Sequence, residues 1–491
     1  MAHPHFDNLK VPSKRAATFD VRDVDCAIVN AIRRVVQTEV PSVCLQYRTG
    51  PDGANGAAEE SSSMKIIKNT GVLHNEFLGH RLSLIPLHFD EDDTFRIASG
   101  STDGKYKFEL NKHNTTDDVV SVHTNDFVIR GPTGDILMDA ARDAILPPDP
   151  VSRGYILITK LKPNATDVAL GDAIHVQAEP VAGIALTHAS WSPVSLCTFH
   201  YKMDPAAAEV AYEQWIKEAQ SQRLKDGKAA LTDADMSEYR QRFFILDAQR
   251  HYYKNSAGEA NVFAFAIESE CGLRPTFLVF DALRILADKV DALARRLRRS
   301  TAASAVADVA KVKVSPLLSA PGAWQVDVVG EGHTLGNMVQ SLLYNEFVRS
   351  RKQYSYIGYH QGHPLEATVT FKFKPVTDQD EEAFRKGLIA ALSLVRRSLL
   401  DLLEEWVEFS QLPRGLLAVK DHFDTLKRRD AVEKDDAPTT VPGEAEAEPE
   451  AEPEAEAEPE AAAPAPEKKK AVTPPVKKGD SKRKPGPVKP K

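Results

Sequence analysis

Histidine and carboxylate fall close together at His74, Glu76 and His80, the residue types with which a metal-dependent hydrolase holds a divalent ion and moves a proton. A zinc helix of the His-Glu-x-x-His kind needs two imidazoles one turn apart around its general base, and that pattern occurs nowhere in the chain. His88, His113 and His123 follow without thiolate or carboxylate spacing, so these five histidines read as surface or capping residues. The run Asp90, Glu91, Asp92, Asp93 has the charge to hold a pair of magnesium ions about 4 Å apart for phosphoryl chemistry. It follows a proline-terminated apolar segment, however, and reads as a solvated turn. His360 and His363 flank a turn before Pro364, a spacing that fits a metal pair poorly. Phosphate-cradling Gly-x-x-x-x-Gly-Lys and nucleophile-elbow Gly-x-Ser-x-Gly patterns are missing too. The expectation is a chain without a catalytic site, a metal or a cofactor of its own.

Arginine suggests a different chemistry. Arg33 and Arg34 lie on the polar side of an apolar-striped segment, where guanidinium forks can bind carboxylates or main-chain carbonyls of another protein; a solvated helix face is the alternative. The stripe is Val24, Ala27, Ile28, Ala31, Ile32, Val35 and Val36, repeating at three and four residues. A strand at Thr18–Val21 precedes it, Asp23 is placed to cap it, and Pro41 ends it. Arg22 and Glu39 share the polar face with the two arginines. Further on, Phe280, Leu283, Leu286, Val290, Leu293 and Leu297 form a near-heptad seam that requires a partner helix.

The same plan recurs after residue 315. A strand at Trp324–Val329 leads into His333-Thr334-Leu335-Gly336-Asn337, whose helix continues through Met338, Leu342, Leu343 and Phe347. Gly336 is expected to permit close helix approach, with Thr334 or Asn337 as the cap. A strand at Glu366–Phe373 and a long helix carrying Phe384, Leu388, Leu392, Val395, Leu399, Leu402, Trp406 and Phe409 complete the repeat. Between Phe95 and Ile184 the pattern changes to short alternating strands broken by Gly-Pro-Thr-Gly and Pro-Pro-Asp-Pro turns, a β-rich insertion. The division expected is a first unit over 1–50 and 176–300, an insert over 51–175, a linker over 301–315, a second unit over 316–412, an extension over 413–436 and a tail over 437–491.

That tail is Ala, Glu and Pro in near-repeats of Glu-Ala-Glu-Pro, then Lys and Pro from Glu467 onward, without an aromatic residue to offset the entropy of ordering it. Its basic end, including Lys468-Lys469-Lys470 and Lys482-Arg483-Lys484, suits weak nucleic-acid contact, nuclear import, or mutual attraction with the acidic block. The 491 residues with 42% hydrophobic content suffice for several domains. Four cysteines, none in a Cys-x-x-Cys pair, argue against a disulfide framework and for a reducing compartment. No secretory leader and no membrane-spanning apolar run is present, so a soluble intracellular protein is expected. A net charge of −8 disfavours a dedicated duplex-binding protein.

Four segments carry a family resemblance. Asp25-Cys26-Ala27-Ile28-Val29-Asn30-Ala31-Ile32-Arg33-Arg34 is similar to the Asn-Ala-Leu-Arg-Arg helix of alpha-type assembly subunits of cellular RNA polymerases. The long stretch Asn69-Thr70-Gly71-Val72-Leu73 through Glu76-Phe77, His80-Arg81-Leu82 and Leu84-Ile85-Pro86-Leu87 resembles the larger partner of the archaeal D and L pair and its eukaryotic equivalents. Trp191-Ser192-Pro193-Val194 with Phe199 and Tyr201, and Glu268-Ser269 with Gly272 and Pro275, resemble the return strand and last helix of that subunit. His333–Asn337 together with Ile357-Gly358-Tyr359-His360 through His363-Pro364-Leu365-Glu366 looks like the smaller partner.

The resemblance implies an α+β fold of two tandem dimerisation units that pair within one chain as a pseudo-heterodimer, the first interrupted by a β-rich insert. It implies an interface built from Ile28, Ile32, Val35, Leu283, Val290, Leu335, Leu342, Leu343, Val395 and Leu399. Asn30, Arg33 and Arg34 would dock the large subunits, and His80, Arg81, Pro86, His333, Thr334, Gly336, Asn337, His363 and Pro364 would serve as structural motif residues. The function implied is a non-catalytic assembly platform of a DNA-directed RNA polymerase. Its partners would be the two large catalytic subunits and small polymerase subunits, with DNA and RNA reached through the complex and no membrane. Fusion of the two partners resembles polymerases of large nucleocytoplasmic DNA viruses, which implies the host nucleus, a cytoplasmic viral factory or the virion as location. Relatives of the larger partner carry cysteines in their insert, whereas this chain has none between Cys44 and Cys197, so no metal is expected there. The competing readings are a stand-alone dimeric transcription-associated module with a charged tail, and a hydrolase using His74, Glu76 and His80.

Overall fold

The computed structural model describes residues 5–47, 63–99, 105–227, 229, 231–299, 311–363 and 365–413, all within one unit spanning residues 1–422. The expected tail, nearly all of the extension, and residues 301–310 of the linker lie outside the described residues.

The chain opens with the hairpin β1 (Phe6–Ser13) and β2 (Ala16–Arg22), then enters α1 (Cys26–Thr38). Six stripe residues of α1, Ala27, Ile28, Ala31, Ile32, Val35 and Val36, are buried, together with Val29. The cap is Asp25, not Asp23: the Asp25 carboxylate accepts from the Ala27 amide at 2.7 Å. Asp23 instead adopts a left-handed backbone, φ 53°, with its amide donating to the Asn261 carbonyl and its carboxylate accepting from the Asn261 side chain. Aspartate tolerates that conformation better than most residues, which is why a turn and not a helix start occurs there.

From α1 the chain builds a separate module: β3 (Ser42–Leu45), β4 (Met64–Asn69), α2 (Asn75–Ser83), α3 (Glu91–Ala98), β5 (Lys107–His113), β6 (Val120–His123), β7 (Val128–Arg130), α4 (Asp139–Ile145), β8 (Leu157–Leu161), β9 (Ala173–Ala178) and β10 (Pro180–Gly183). Its strands form an antiparallel sheet in the order β4-β9-β5-β7 and the pairs β6-β8 and β3-β10. A hydrophobic interior of its own runs from Val43 and Leu45 through Leu78, Leu82 and Leu110 to Ala178. The strands closing it, β3 and β10, lie outside the expected 51–175 limits, and Val176 sits inside β9 rather than at the return to the first unit. The acidic run is no turn either. Asp90 caps α3 by accepting from the Asp93 amide, and the following carboxylates occupy the first helical turn, where the positive end of the helix dipole favours them.

His88 joins this module to the first hairpin and corrects the surface-histidine expectation. Arg15, in the β1–β2 turn, donates to its Nε2 at 2.7 Å, and the next residue, Phe89, donates its amide to the Cys271 carbonyl. Burial, and secondarily the Arg15 charge, lower the His88 pKa from 6.5 to about 4. A histidine kept neutral in the fold stabilises fully above its unfolded pKa, and that contribution is lost as pH falls from 6.5 towards 4. Chemical denaturation across that interval should therefore show a loss of about 2–3 kcal/mol that is largely absent in His88→Gln. An unchanged pH profile in that variant would remove His88 as its source.

The chain returns through β11 (Val194–Tyr201), projects a helical hairpin of α5 (Pro205–Lys225) and α6 (Asp233–Leu246), and comes back as β12 (Val262–Ser269) and α7 (Pro275–Arg299). The hairpin was not foreseen. It has a small interior of Ala208, Tyr212, Ile216, Phe243 and Ala248, and Thr232 with Asp235 makes a reciprocal cap at the start of α6. The first sheet has the order β1-β2-β12-β11, with α1 lying against it.

The rear portion consists of β13 (Val312–Pro316), β14 (Trp324–Val329), α8 (His333–Leu343), β15 (Tyr354–Gln361), β16 (Thr368–Pro375) and α9 (Glu381–Phe409). Its antiparallel sheet has the order β13-β14-β16-β15. The first of these strands occupies the end of the expected linker, so 312–315 belong to the sheet. After α8 the helix widens into a π-helical turn over Tyr344–Ser350. Among the described residues no helix is long and apolar enough to cross a membrane.

Candidate interface between the two halves

Two helix pairs join front to rear, and both run antiparallel. In the first, α1 and α8 meet end to end: the Asp25 carboxylate accepts from Ser341 Oγ at 2.6 Å and Asn345 Nδ2 at 2.9 Å, while at the other end Arg34 Nε donates to Thr334 Oγ1 at 2.8 Å. In the second, Trp406 near the end of α9 donates its indole N–H to the Thr276 carbonyl at the start of α7 at 2.8 Å. At the opposite end Arg385 reaches the Leu297 carbonyl, and between them Arg396 lies 3.7 Å from Asp291.

Apolar burial dominates this contact. Ile28, Ile32, Val35, Leu283, Val290, Leu335, Leu343, Val395 and Leu399 all lie in one continuous hydrophobic interior, with Leu342 half-buried against it. The same interior takes in Phe6 and Phe19 from the first sheet and Phe371 and Phe373 from the rear sheet. Fully burying each Leu, Ile or Val contributes about 1.5–3 kcal/mol, so this seam outweighs any polar contact across it.

Polar groups then set its register. Lys289 of α7 lies 2.8 Å from Glu39, just past α1, and 2.9 Å from Glu331, just before α8. Burial disfavours its ammonium, but Glu331 and Glu39 outweigh that and hold the pKa above the ordinary lysine value. His5 pairs with Glu405 at 2.7 Å and Arg349 with Glu259 at 2.8 Å, each bond crossing from front to rear.

The proposed docking residues sit on the α1 face beside this seam. Arg33 is half-buried, with Nε and Nη2 donating to Asn30 Oδ1 and Nη1 to Gln37 Oε1, whereas Arg34 is exposed apart from its bond to Thr334. Thr334 is thus an acceptor for Arg34 and does not cap α8. Neither does Asn337, because the cap position is Gly332 and has no side chain to offer. Gly336 serves close approach, but to the sheet: a Cβ there would stand 2.7 Å from the Tyr359 ring and 3.1 Å from Val369. His333 opens α8 and lies 3.4 Å from the Tyr359 hydroxyl. His363 Nδ1 accepts from the Leu365 amide, and Pro364 lies outside the described residues.

The remaining motif residues belong to the β-rich module, away from the seam. Arg81 donates to the Ile158 and Leu157 carbonyls, His80 is exposed with its ring edge-on to Tyr47, and Pro86 is half-buried. Leu82, Ile85 and Leu87 are buried, whereas Leu84 is 59% exposed. His74 caps α2, and Glu76 is exposed beside it. Burial raises the thiol of Cys44 to about 11, of Cys197 to about 12 and of Cys271 to about 11, so these three stay protonated at neutral pH. Among the described residues no group of three or more His, Cys, Asp or Glu is placed to hold a metal ion.

Sequence reasoning missed Lys289, Glu331, Asp25 and Asn345. Lys289 carried a readable signal: a lone cation beside Val290 in an otherwise apolar helix face requires a carboxylate from elsewhere.

Comparison with known proteins places the front of the chain. Residues 18–290 match the RNA polymerase Rpb3/Rpb11 dimerisation domain. The chain is 25% identical over 302 residues to subunit 3 of the DNA-directed RNA polymerases II, IV and V of Arabidopsis thaliana, covering 56% of this chain and 86% of that protein. It is 27% identical over 324 residues to subunit RPAC1 of the DNA-directed RNA polymerases I and III of Saccharomyces cerevisiae, covering 58% and 85%. With the RPB3 subunit of DNA-directed RNA polymerase II of Schizosaccharomyces pombe the identity is 25% over 296 residues, covering 58% and 84%. Strand, helix, module and seam helix of the front half are thus the parts shared with these polymerase subunits, and the chain belongs to the Rpb3/Rpb11 dimerisation family.

Proposed function

We propose that this chain is the non-catalytic assembly platform of a DNA-directed RNA polymerase, its front half acting as the larger and its rear half as the smaller member of an intramolecular pseudo-heterodimer. The continuous interior shared by α7 and α9 carries this reading, because residues of both halves are buried in it together. The relatives cover little more than half of this chain, while the rear half repeats the same strand, helix and long-helix plan. This supports fusion of two partners that would otherwise meet by diffusion. Tethering raises their effective concentration to the order of millimolar, so pairing proceeds even when the protein is scarce. A large nucleocytoplasmic DNA virus, with its polymerase in the host nucleus or a viral factory, is the origin that such a fusion supports.

In this reading the α1 face presents Asn30, Arg33 and Arg34 to the two large catalytic subunits. Arg33 is preorganised by Asn30 and Gln37, which lowers the entropy lost when its remaining donors are engaged. Purification through a tag on this chain, followed by mass spectrometry, should recover two very large polypeptides together with small subunits. The double variant Arg33→Ala, Arg34→Ala should keep its far-ultraviolet spectrum and lose roughly tenfold or more of the recovered large subunits. Recovery at the wild-type level would refute the docking assignment. Recovery of no large polypeptide by the wild-type chain would favour a stand-alone module.

A further inference from the structure

Where the start of α1 meets the end of α8, the seam opens into a cleft of about 700 Å³ that the pairing of the halves does not fill. Its walls combine three tyrosines, Tyr201, Tyr252 and Tyr344, with three carboxylates, Asp23, Asp25 and Glu259. The Tyr201 and Tyr252 rings stand 4.9 Å apart, tilted to each other. Among the described residues, Glu259 alone of the three has a cation from within the cleft, Arg349 at 2.8 Å, which also lies 5.4 Å from the Tyr344 ring centre. The hydrogen bonds to the other two carboxylates come from neutral groups: Asn261 for Asp23, and Ser341, Asn345 and the Ala27 amide for Asp25. Lys254 stands 5.0 Å from the Tyr252 ring centre, so with Arg349 over Tyr344 two of the three rings already receive a cation, and the partly exposed Tyr201 ring does not.

From this geometry we infer that the cleft receives a lysine or arginine side chain from an extended segment of a docked large subunit. The inference rests on the platform reading above and names the contact made at one end of its docking face. Charge complementarity selects the guest. An incoming ammonium or guanidinium would gain two carboxylates that have no ion-pair partner among the described residues, together with the Tyr201 ring, whereas an incoming carboxylate would meet Asp23 and Asp25 at close range. Continuity selects the source, because the same helix α1 that bears Arg33 and Arg34 begins at this cleft.

The test uses the full chain, tagged, in cells where its complex forms. A photo-crosslinking residue at Asn255, on the cleft lining, should capture a large-subunit peptide containing lysine or arginine at the point of attachment. Asp23→Asn removes one charge while keeping a side chain that accepts the left-handed backbone. It should shorten retention of the large subunits about two- to fivefold at low salt, with the difference shrinking as salt is raised. Large subunits that co-purify with no crosslink from position 255, with a crosslink to a segment without a cation, or with unchanged retention in Asp23→Asn overturn the cleft assignment and leave the platform reading intact. No large subunit with the wild-type chain overturns both.

Discussion

Trp406→Ala should abolish the union of the two halves, at a cost of about 4–5 kcal/mol. The indole is fully buried and stands 4.9 Å from the Phe6 ring and 4.6 Å from the Phe19 ring, with its N–H bonded to the Thr276 carbonyl. One side chain of the last helix thereby touches the first strand, the second strand and the start of α7. Truncation leaves a cavity among groups from both halves and deprives a buried carbonyl of its donor. A loss this large is a substantial fraction of the stability of an ordinary domain. Differential scanning calorimetry should show the main transition split or shifted far downwards, and proteolysis should begin within α9. A shift of only a degree or two would mean that the seam does not depend on this residue.

Lys289→Met should be nearly as damaging, and its effect should depend on pH in a way that distinguishes charge from packing. The substitution preserves length and apolar volume but leaves Glu39 and Glu331, with side-chain exposures of 15% and 12%, facing each other without their common cation. Removing one partner from a partly buried ionic group costs about 3 kcal/mol. In the unsubstituted protein Glu331 and Glu39 hold the Lys289 pKa above its ordinary value, so the stability this cation contributes is complete below the unfolded lysine pKa and is lost as pH rises through the folded one. The deficit of the variant should therefore be complete at neutral pH and shrink as pH is raised beyond 10.5. Denaturant titrations at neutral and at strongly alkaline pH should show the smaller deficit at the alkaline end. A deficit independent of pH would point to packing alone.

How much of this was legible beforehand depends on which force set each element. The apolar stripes of α1, α7 and α9 were readable because their partners differ little in what they demand: any buried helix face needs Ile32, Val290 or Leu399 at such spacing. The helical hairpin α5–α6 escaped notice because its buried residues are few and aromatic side chains are scattered round both helices, so no stripe appears. Edge strands β13 and β15 were obscured for a related reason, since edge positions tolerate polar residues such as Lys313, Ser355 and His360. Asp23 and Asp25 are equivalent as helix caps on paper. Only the pairing of Asp23 with Asn261, far away in the chain, decides between them. Thr334 likewise looks like a cap until Arg34 is seen to occupy its hydroxyl.

The meeting of Phe6 with Trp406 also constrains how the protein comes into being. A ribosome adding about 5–20 residues per second takes roughly 20–80 seconds to traverse the 400 positions between them. For roughly the last 5–20 seconds of that interval the inner surface of α7 has been made while its cover α9 has not been completed. A nascent chain in that state is a client for chaperones that shield apolar helices, and synonymous codons that slow translation between residues 300 and 410 would prolong its vulnerability.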